Sequence, residues 1–234
     1  MCGRFTQKTS PEELARAFEL SELPADLGER FNVAPQSPVL LVPSVPGPRR
    51  AAVMQWGLVP RWAKDPSIGA RLANGRSETA AEKPAFRDAL QRRRGLLLMD
   101  GFFEWATEGR VKVPYYFRRP GGEPFAVAAL YDRWTPPGEH AEPPPPLWTT
   151  CLLTCAAAEP VASIHDRMPV VLPAETWSRW LQSGPIPASD LQELLRPQAD
   201  FFESTRLTRY VNDARHEGPE CLQPDPEVKE IPLL

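Results

Sequence analysis

The sequence predicts an α+β fold in one domain, a mostly antiparallel sheet or open barrel flanked by short helices. Three observations carry that reading. Strand-like runs crowd the middle of the chain and helix-like segments lie toward its ends. The two kinds never alternate in the βαβ manner that builds a parallel sheet. Proline supplies 29 of the 234 residues, about twice its average usage, and it is scattered, which favours short elements joined by many loops. The hydrophobic fraction of 42% is enough for a sizeable core.

Taken in order, Ser10-Pro11-Glu12-Glu13 is a capping box with proline at the first helical position, opening a short helix over Pro11–Leu20. Val39–Val42 and Ala51–Trp56 read as strands between proline-marked turns. Lys83–Arg94 has helical spacing, with Phe86, Ala89 and Leu90 on one face and arginines at the end where the helix dipole favours them. Gly95–Asp100, Phe102–Trp105, Val111–Phe117, Phe125–Tyr131 and Leu147–Cys155 read as strands separated by turn residues. Glu175–Leu181 and Ser189–Leu195 read as short helices. Thr135–Pro146 is expected to be a surface connection, and the acidic, proline-rich stretch from Glu217 a tail lying across the surface. The core is expected over residues 2–224 of a single domain spanning 1–234.

The net charge of −3 and a pI near 5.7 argue against a broadly basic protein that coats duplex nucleic acid, though a local basic groove stays open. No apolar run reaches the roughly 18–20 residues of a membrane span. The start MCGRFTQKTSPEE lacks the apolar stretch of a signal peptide. A cytoplasmic protein without membrane contact is expected. Cys2, Cys151, Cys155 and Cys221 form no CxxC pair, and only His140, His165 and His216 could add nitrogen ligands. A four-ligand zinc site is therefore not expected, and neither is any other metal or cofactor.

Cys2 is the first candidate for chemistry. A small residue after Met1 allows the methionine to be removed, leaving an α-amine and a thiol on adjacent carbons. Both are partly nucleophilic near neutral pH. The pair can attack an amide with the amine as base, or condense with an aldehyde and close a thiazolidine. The ordinary reading is a frayed terminus that contributes little to the core. Glu104 lies in Asp100-Gly101-Phe102-Phe103-Glu104-Trp105. Alternation in a strand puts it on one face with Phe102, and Phe103 with Trp105 on the other. Desolvation there would raise its pKa and suit it to proton transfer; the ordinary alternative is an edge glutamate in water. His165, in Ser163-Ile164-His165-Asp166-Arg167-Met168-Pro169, is an acid–base or phosphate candidate, or a loop histidine with one local hydrogen bond. Asn74-Gly75-Arg76-Ser77-Glu78-Thr79 reads as a tight turn at Asn-Gly.

These pieces occur in a recognisable order. Met1-Cys2-Gly3-Arg4-Phe5, Phe31-Asn32-Val33-Ala34-Pro35, Trp56-Gly57-Leu58-Val59-Pro60-Arg61-Trp62, the Asn74–Thr79 and Asp100–Trp105 stretches, and Ile164–Pro169 together resemble the SRAP family of SOS response-associated peptidases, or abasic-site processing proteins. The resemblance runs from Cys2 to about Pro224. It implies a DNA-damage protein, a monomer, whose Cys2 links covalently to the aldehyde of an abasic site in single-stranded DNA, with lyase and peptidase-like self-processing as accompanying activities. It implies that Asn74 holds the amine or a sugar hydroxyl, that Glu104 shuttles protons, and that His165 assists opening of the sugar ring. Arg4, Arg76 and Arg167 would contact phosphates, Pro35 and Trp62 would wedge against bases, and Asn32 and Thr154 would lie beside the strand. Gly75 departs from the family's usual alanine or small residue, which would loosen the Asn74 turn and favour deamidation. The competing readings are an N-terminal-nucleophile amidohydrolase of the glutamine amidotransferase kind, which also begins Met-Cys-Gly, and a non-catalytic single-strand-binding module. Arginine outnumbers lysine 22 to 5, which suits phosphate recognition and equally suits a genome rich in G and C.

Overall fold

A computed structural model describes residues 2–24, 28–138, 142, 144–199 and 201–226. The strands in chain order are β1 (Arg4–Gln7), β2 (Arg30–Val33), β3 (Pro38–Pro43), β4 (Ala52–Trp56), β5 (Asn74–Arg76), β6 (Arg94–Met99), β7 (Gly101–Glu108), β8 (Val111–Arg118), β9 (Phe125–Trp134), β10 (Leu147–Ala156), β11 (Arg167–Pro169), β12 (Val171–Leu172) and β13 (Glu203–Arg206). The helices are short: α1 (Pro11–Phe18), α2 (Arg87–Arg92), α3 (Trp177–Leu181) and α4 (Ala188–Leu194).

Strands β10, β4, β3, β6 and β9 form a ring, because β10 pairs with both β4 and β9. The α+β, mostly antiparallel expectation holds, and the barrel closes. Among the named strands described, two pairings are parallel, both made by β10: with β4 through Thr149 and Thr150, and with β5 through Leu152–Thr154. Its far end also pairs antiparallel with β11. Strand β10 thus closes the barrel and holds the two short strands that carry Asn74 and Arg167.

A second sheet, ordered β13-β8-β7-β1-β2, shares the barrel's core. Phe5, Phe102 and Phe117 join that core, while Phe103 and Tyr116 form a separate cluster with Leu207, Val211 and Cys221. The alternation predicted for β7 is the reason: its two faces serve two clusters. The chain crosses from barrel to second sheet at Asp100-Gly101, where a Cβ on Gly101 would come within 2.4 Å of the Tyr116 ring. Only glycine fits that crossing.

Helix α1 begins as predicted, with the Ser10 hydroxyl accepting from the Glu13 amide at 3.3 Å. The helix expected over Lys83–Arg94 is shorter, because Pro84 disfavours helical backbone before it and residues 81–86 form turns. The stretch from Glu217 is stitched in more firmly than a surface tail. The Glu217 carboxylate accepts from the Phe31 and Asn32 amides, Cys221 is buried, and Arg206 pairs with Asp225 at 2.9 Å. His140, part of the Thr135–Pro146 connection, and the chain beyond residue 226 lie outside the described residues.

β1 is tied to both sheets. The Gln7 amide donates to the Leu98 and Leu40 carbonyls, at 2.6 and 3.3 Å, and its Oε1 accepts from the Leu40 amide. Arg4 donates to the Val211 and Asn212 carbonyls at 2.6 and 2.9 Å and to Asn32 Oδ1 at 3.2 Å. Asn32, itself buried, donates to the Asp213 and His216 carbonyls, both at 3.0 Å. Removing that amide leaves two half-buried carbonyls without their donor, at up to roughly 1–3 kcal/mol each. Asn32→Ala is expected to lower unfolding stability by about 2–4 kcal/mol in urea denaturation. Asn32→Asp should cost at least as much, since it turns a carboxylate toward two carbonyl oxygens.

Candidate active site

Cys2 is fully buried within the main core, so the frayed-terminus expectation fails. β1 carries it inward: Arg4 lies opposite Phe103, so the residues just ahead of Arg4 run beside Glu104. The thiol donates weakly to the Arg4 carbonyl at 3.8 Å. Burial, and after it the Glu104 charge, push the thiol well above its ordinary pKa, keeping it protonated at neutral pH. Substitutions at this position therefore touch the core, contrary to the sequence-based expectation.

Asn74 meets Cys2 from β5. Its Nδ2 donates to the Cys2 carbonyl at 2.8 Å. Its Oδ1 is buried and has no hydrogen-bond partner among the described residues. The expected Asn-Gly turn is absent. Asn74–Arg76 is extended and paired to β10, and Gly75 is not among the residues at positive φ. A Cβ on Gly75 would meet Leu153 at 3.1 Å and Phe86 at 3.4 Å, so the glycine packs the strand closely against β10. The flexible turn that would promote deamidation does not form.

Glu104 is 3% exposed, which excludes the water-facing edge reading. Burial pushes its carboxyl up to about 7. His165 follows the 3-10 turn Val161–Ser163, and its amide donates to the Val161 carbonyl at 2.9 Å. Its Nε2 lies 3.9 Å from Glu104 Oε2. The Arg167 amide donates to Nδ1 at 2.9 Å, so the neutral ring holds its proton on Nε2, the nitrogen facing Glu104. Burial lowers the pKa of this imidazole. Four candidates thus converge: Cys2, Asn74, Glu104 and His165.

The other candidates divide into two groups. Arg4, half-buried over the Trp105 ring, is committed to backbone carbonyls near the C-terminus and to Asn32. Arg167 is committed to Glu78, bidentate at 2.7 Å for both bonds, and to the Thr154 carbonyl at 2.6 Å. Thr154 is buried, with its hydroxyl 3.4 Å from the Gly75 carbonyl. Pro35 is half-buried, Arg76 is exposed two residues along the same strand face as Asn74, and Trp62 is 57% exposed. Sequence reasoning passed over Glu78, although it sits two residues after Arg76 in the same stretch. It also passed over Asn212, whose side chain accepts from Trp105 Nε1 at 2.7 Å and which no local pattern marks.

Comparison with known proteins places the chain beside named relatives. The family model for SOS response-associated peptidases (SRAP) matches residues 1–214. Abasic site processing protein YoqW of Bacillus subtilis is 35% identical over 227 residues, covering 95% of this chain and 99% of that protein. YedK of Escherichia coli, named likewise, is 32% identical over 96% of this chain and 100% of its own length. HMCES of Gallus gallus, also an abasic site processing protein, is 34% identical over 73% of this chain and 56% of its own. A crystal structure of a Bacteroides thetaiotaomicron protein superposes with a TM-score of 0.82 at 22% identity, covering 96% of this chain and all of that one, and supports the fold. Among the described residues no helix is long and apolar enough to cross a membrane.

The raised Glu104 pKa carries a stability signature. The folded state keeps a proton that the unfolded chain releases, so stability is greatest below the unfolded value of 4.5 and falls as pH climbs toward about 7. At 1.36 kcal/mol per unit the ceiling is about 3 kcal/mol. Urea denaturation at pH 5 and pH 8 should show this loss in the wild type and a much flatter profile in Glu104→Gln.

Proposed function

The chain belongs to the SOS response-associated peptidase family, and on that premise we propose that it processes abasic sites in single-stranded DNA by bonding to them through Cys2. The observation that carries this reading is the Asn74 amide on the Cys2 carbonyl, with a buried, near-neutral carboxyl alongside.

The chemistry starts when removal of Met1 leaves the Cys2 α-amine free. The amine adds to the aldehyde of the ring-opened sugar, giving a carbinolamine. Protonated Glu104 delivers a proton to the departing hydroxyl, water leaves, and a protonated imine remains, its nitrogen keeping its own N–H while Glu104 is left as the carboxylate. The Cys2 sulfur then adds to the imine carbon. Its proton passes to the Glu104 carboxylate and restores the acid, so the aldehyde and Cys2 yield a thiazolidine and release one water overall. A carboxyl near 7 can serve in both directions, whereas an ordinary one would be a poor acid at neutral pH. The protonated thiol makes such a base necessary. Asn74 Oδ1 is an acceptor suited to the amine N–H, and the His165 Nε2–H is a donor suited to the sugar oxygen as the ring opens. If the imine eliminates the 3′ phosphate before sulfur adds, the outcome is strand cleavage, which accounts for lyase activity within the same scheme.

Trp62 and Arg76 are the exposed groups suited to bases and phosphates. Arg4 and Arg167 act from within the fold, where any phosphate contact is made with their internal partners in place. Stacking and phosphate contacts carry no base code, so single strands should be preferred to duplex with little dependence on sequence.

The test is incubation with a single-stranded oligonucleotide bearing one abasic site, followed by denaturing electrophoresis and mass spectrometry. The processed protein should give a heat-stable adduct on Cys2. Cys2→Ala and a form retaining Met1 should give none. A stable adduct from the Met1-retaining form, or one on Cys151, Cys155 or Cys221, would overturn the mechanism. Glu104→Gln should slow adduct formation by about a hundredfold while leaving affinity for undamaged single strands within about twofold. Equal rates on matched duplex would remove the strand preference.

A further inference from the structure

The geometry points to Glu78 as a positioning residue for this reaction: by holding Arg167, it decides which nitrogen of His165 carries the proton. The kinetic consequence rests on the proposed function, but the protonation pattern belongs to the free protein.

Two neighbours compete for His165 Nδ1. The Arg167 amide, 2.9 Å away, needs a lone pair there. The Asp166 carboxylate, 3.0 Å away, could instead accept a proton from that nitrogen. The two demands are exclusive, because a neutral imidazole has one N–H and one lone pair. Asp166 reaches in on a side chain 83% exposed to solvent, where little holds it. The Arg167 amide belongs to a residue fixed from the other side.

That fixing comes from Glu78. Its carboxylate takes both terminal nitrogens of Arg167 at 2.7 Å, the fork-on-fork geometry in which a guanidinium is most firmly oriented. The same guanidinium donates to the Thr154 carbonyl of β10 at 2.6 Å and is only 12% exposed. Arg167 opens β11, where it lies opposite Ala156 of β10. Clamp and strand pairing therefore act on one residue. Without the Glu78 charge the buried guanidinium would lack its counter-ion, which is costly. Arg167 would turn outward and draw its own amide off Nδ1. Asp166 would then capture the Nδ1 proton, leaving Nε2 with a lone pair facing Glu104 and no N–H for the sugar oxygen.

The test reads the tautomer directly. Long-range ¹⁵N–¹H correlation of the imidazoles at pH 8, with His165 assigned by its absence in His165→Gln, should show an Nε2–H ring in the wild type. Glu78→Gln should move it to the Nδ1–H form or a mixture. The single-turnover rate of adduct formation, at saturating abasic single-stranded oligonucleotide, should fall about tenfold. Glu78→Asp, which keeps the charge, should recover part of both. It also carries the comparison if Glu78→Gln proves unfolded by thermal denaturation: an Asp variant matching the wild type in tautomer and rate agrees with the proposal only if Arg167→Lys shifts both. A folded Glu78→Gln that keeps the Nε2–H ring, or reacts within twofold of the wild-type rate, overturns it. If the wild type forms no adduct, the functional reading fails, while the tautomer comparison still decides the role of Glu78.

Discussion

Placing residue 2 in the interior is the constraint on which the site depends. Its position is set by the residues that follow it. β1 does this from the middle of its sheet, between β2 and β7, with Gln7 bonded into the barrel through Leu40 and Leu98. Arg4 and Asn32 fasten the other flank to carbonyls between residues 211 and 216. The far end of the chain therefore holds the near end. Leu207 and Val211, from that far end, pack on the face of β7 opposite the barrel core, where they cluster with Phe103 and Tyr116.

Given that placement, the electrostatics are a matter of depth. Glu104 and Glu78 are the same residue type with opposite fates. Glu104 is buried, so its acid form is favoured up to about 7. Glu78 faces the Arg167 guanidinium, which holds its carboxyl below the ordinary value. One can exchange a proton near neutral pH and the other stays a fixed anion. Divergent environments of this kind separate an acid–base group from a structural counter-ion. Between them stands a neutral imidazole whose two nitrogens face different partners.

How much of this was legible depends on the range of the forces. The long strands β6 to β10 could be read because their apolar runs are internal to the segment. Strands β5 and β11 could not, since three residues carry no period and both exist only because β10 offers an edge. The Asn-Gly reading failed for the same reason: local turn preference yielded to parallel pairing and to the contact of Gly75 with Leu153 and Phe86. Glu104 was legible through its aromatic neighbours, because alternation alone assigns the faces of β7. The burial of Cys2 was not, because nothing near Met1 announces that a segment some two hundred residues later will fasten Arg4 beside it. The resemblance to a known family named Asn74 and His165, but the Nε2–H tautomer emerges only from the backbone of Arg167.

The arginine count illustrates a further limit of composition. An excess of arginine over lysine looks like provision for phosphates, yet part of it is used inside the fold. Arg94 is buried and donates to the carbonyls of Leu90, Gln91, Trp180, Gln182 and Gly184, closing the ends of α2 and α3. Arg93 and Arg61 share the buried carboxylate of Asp132, and Arg61 thereby steadies the loop that presents Trp62. A planar fork with five donors can satisfy several carbonyls at once, which lysine's compact ammonium cannot. In a fold of short elements and many helix ends, such a donor has structural use wherever a backbone segment stops. The charge available to a polyanion is then set by the guanidiniums that face solvent without such duties, Arg76 among them, and an acidic total is no obstacle to it.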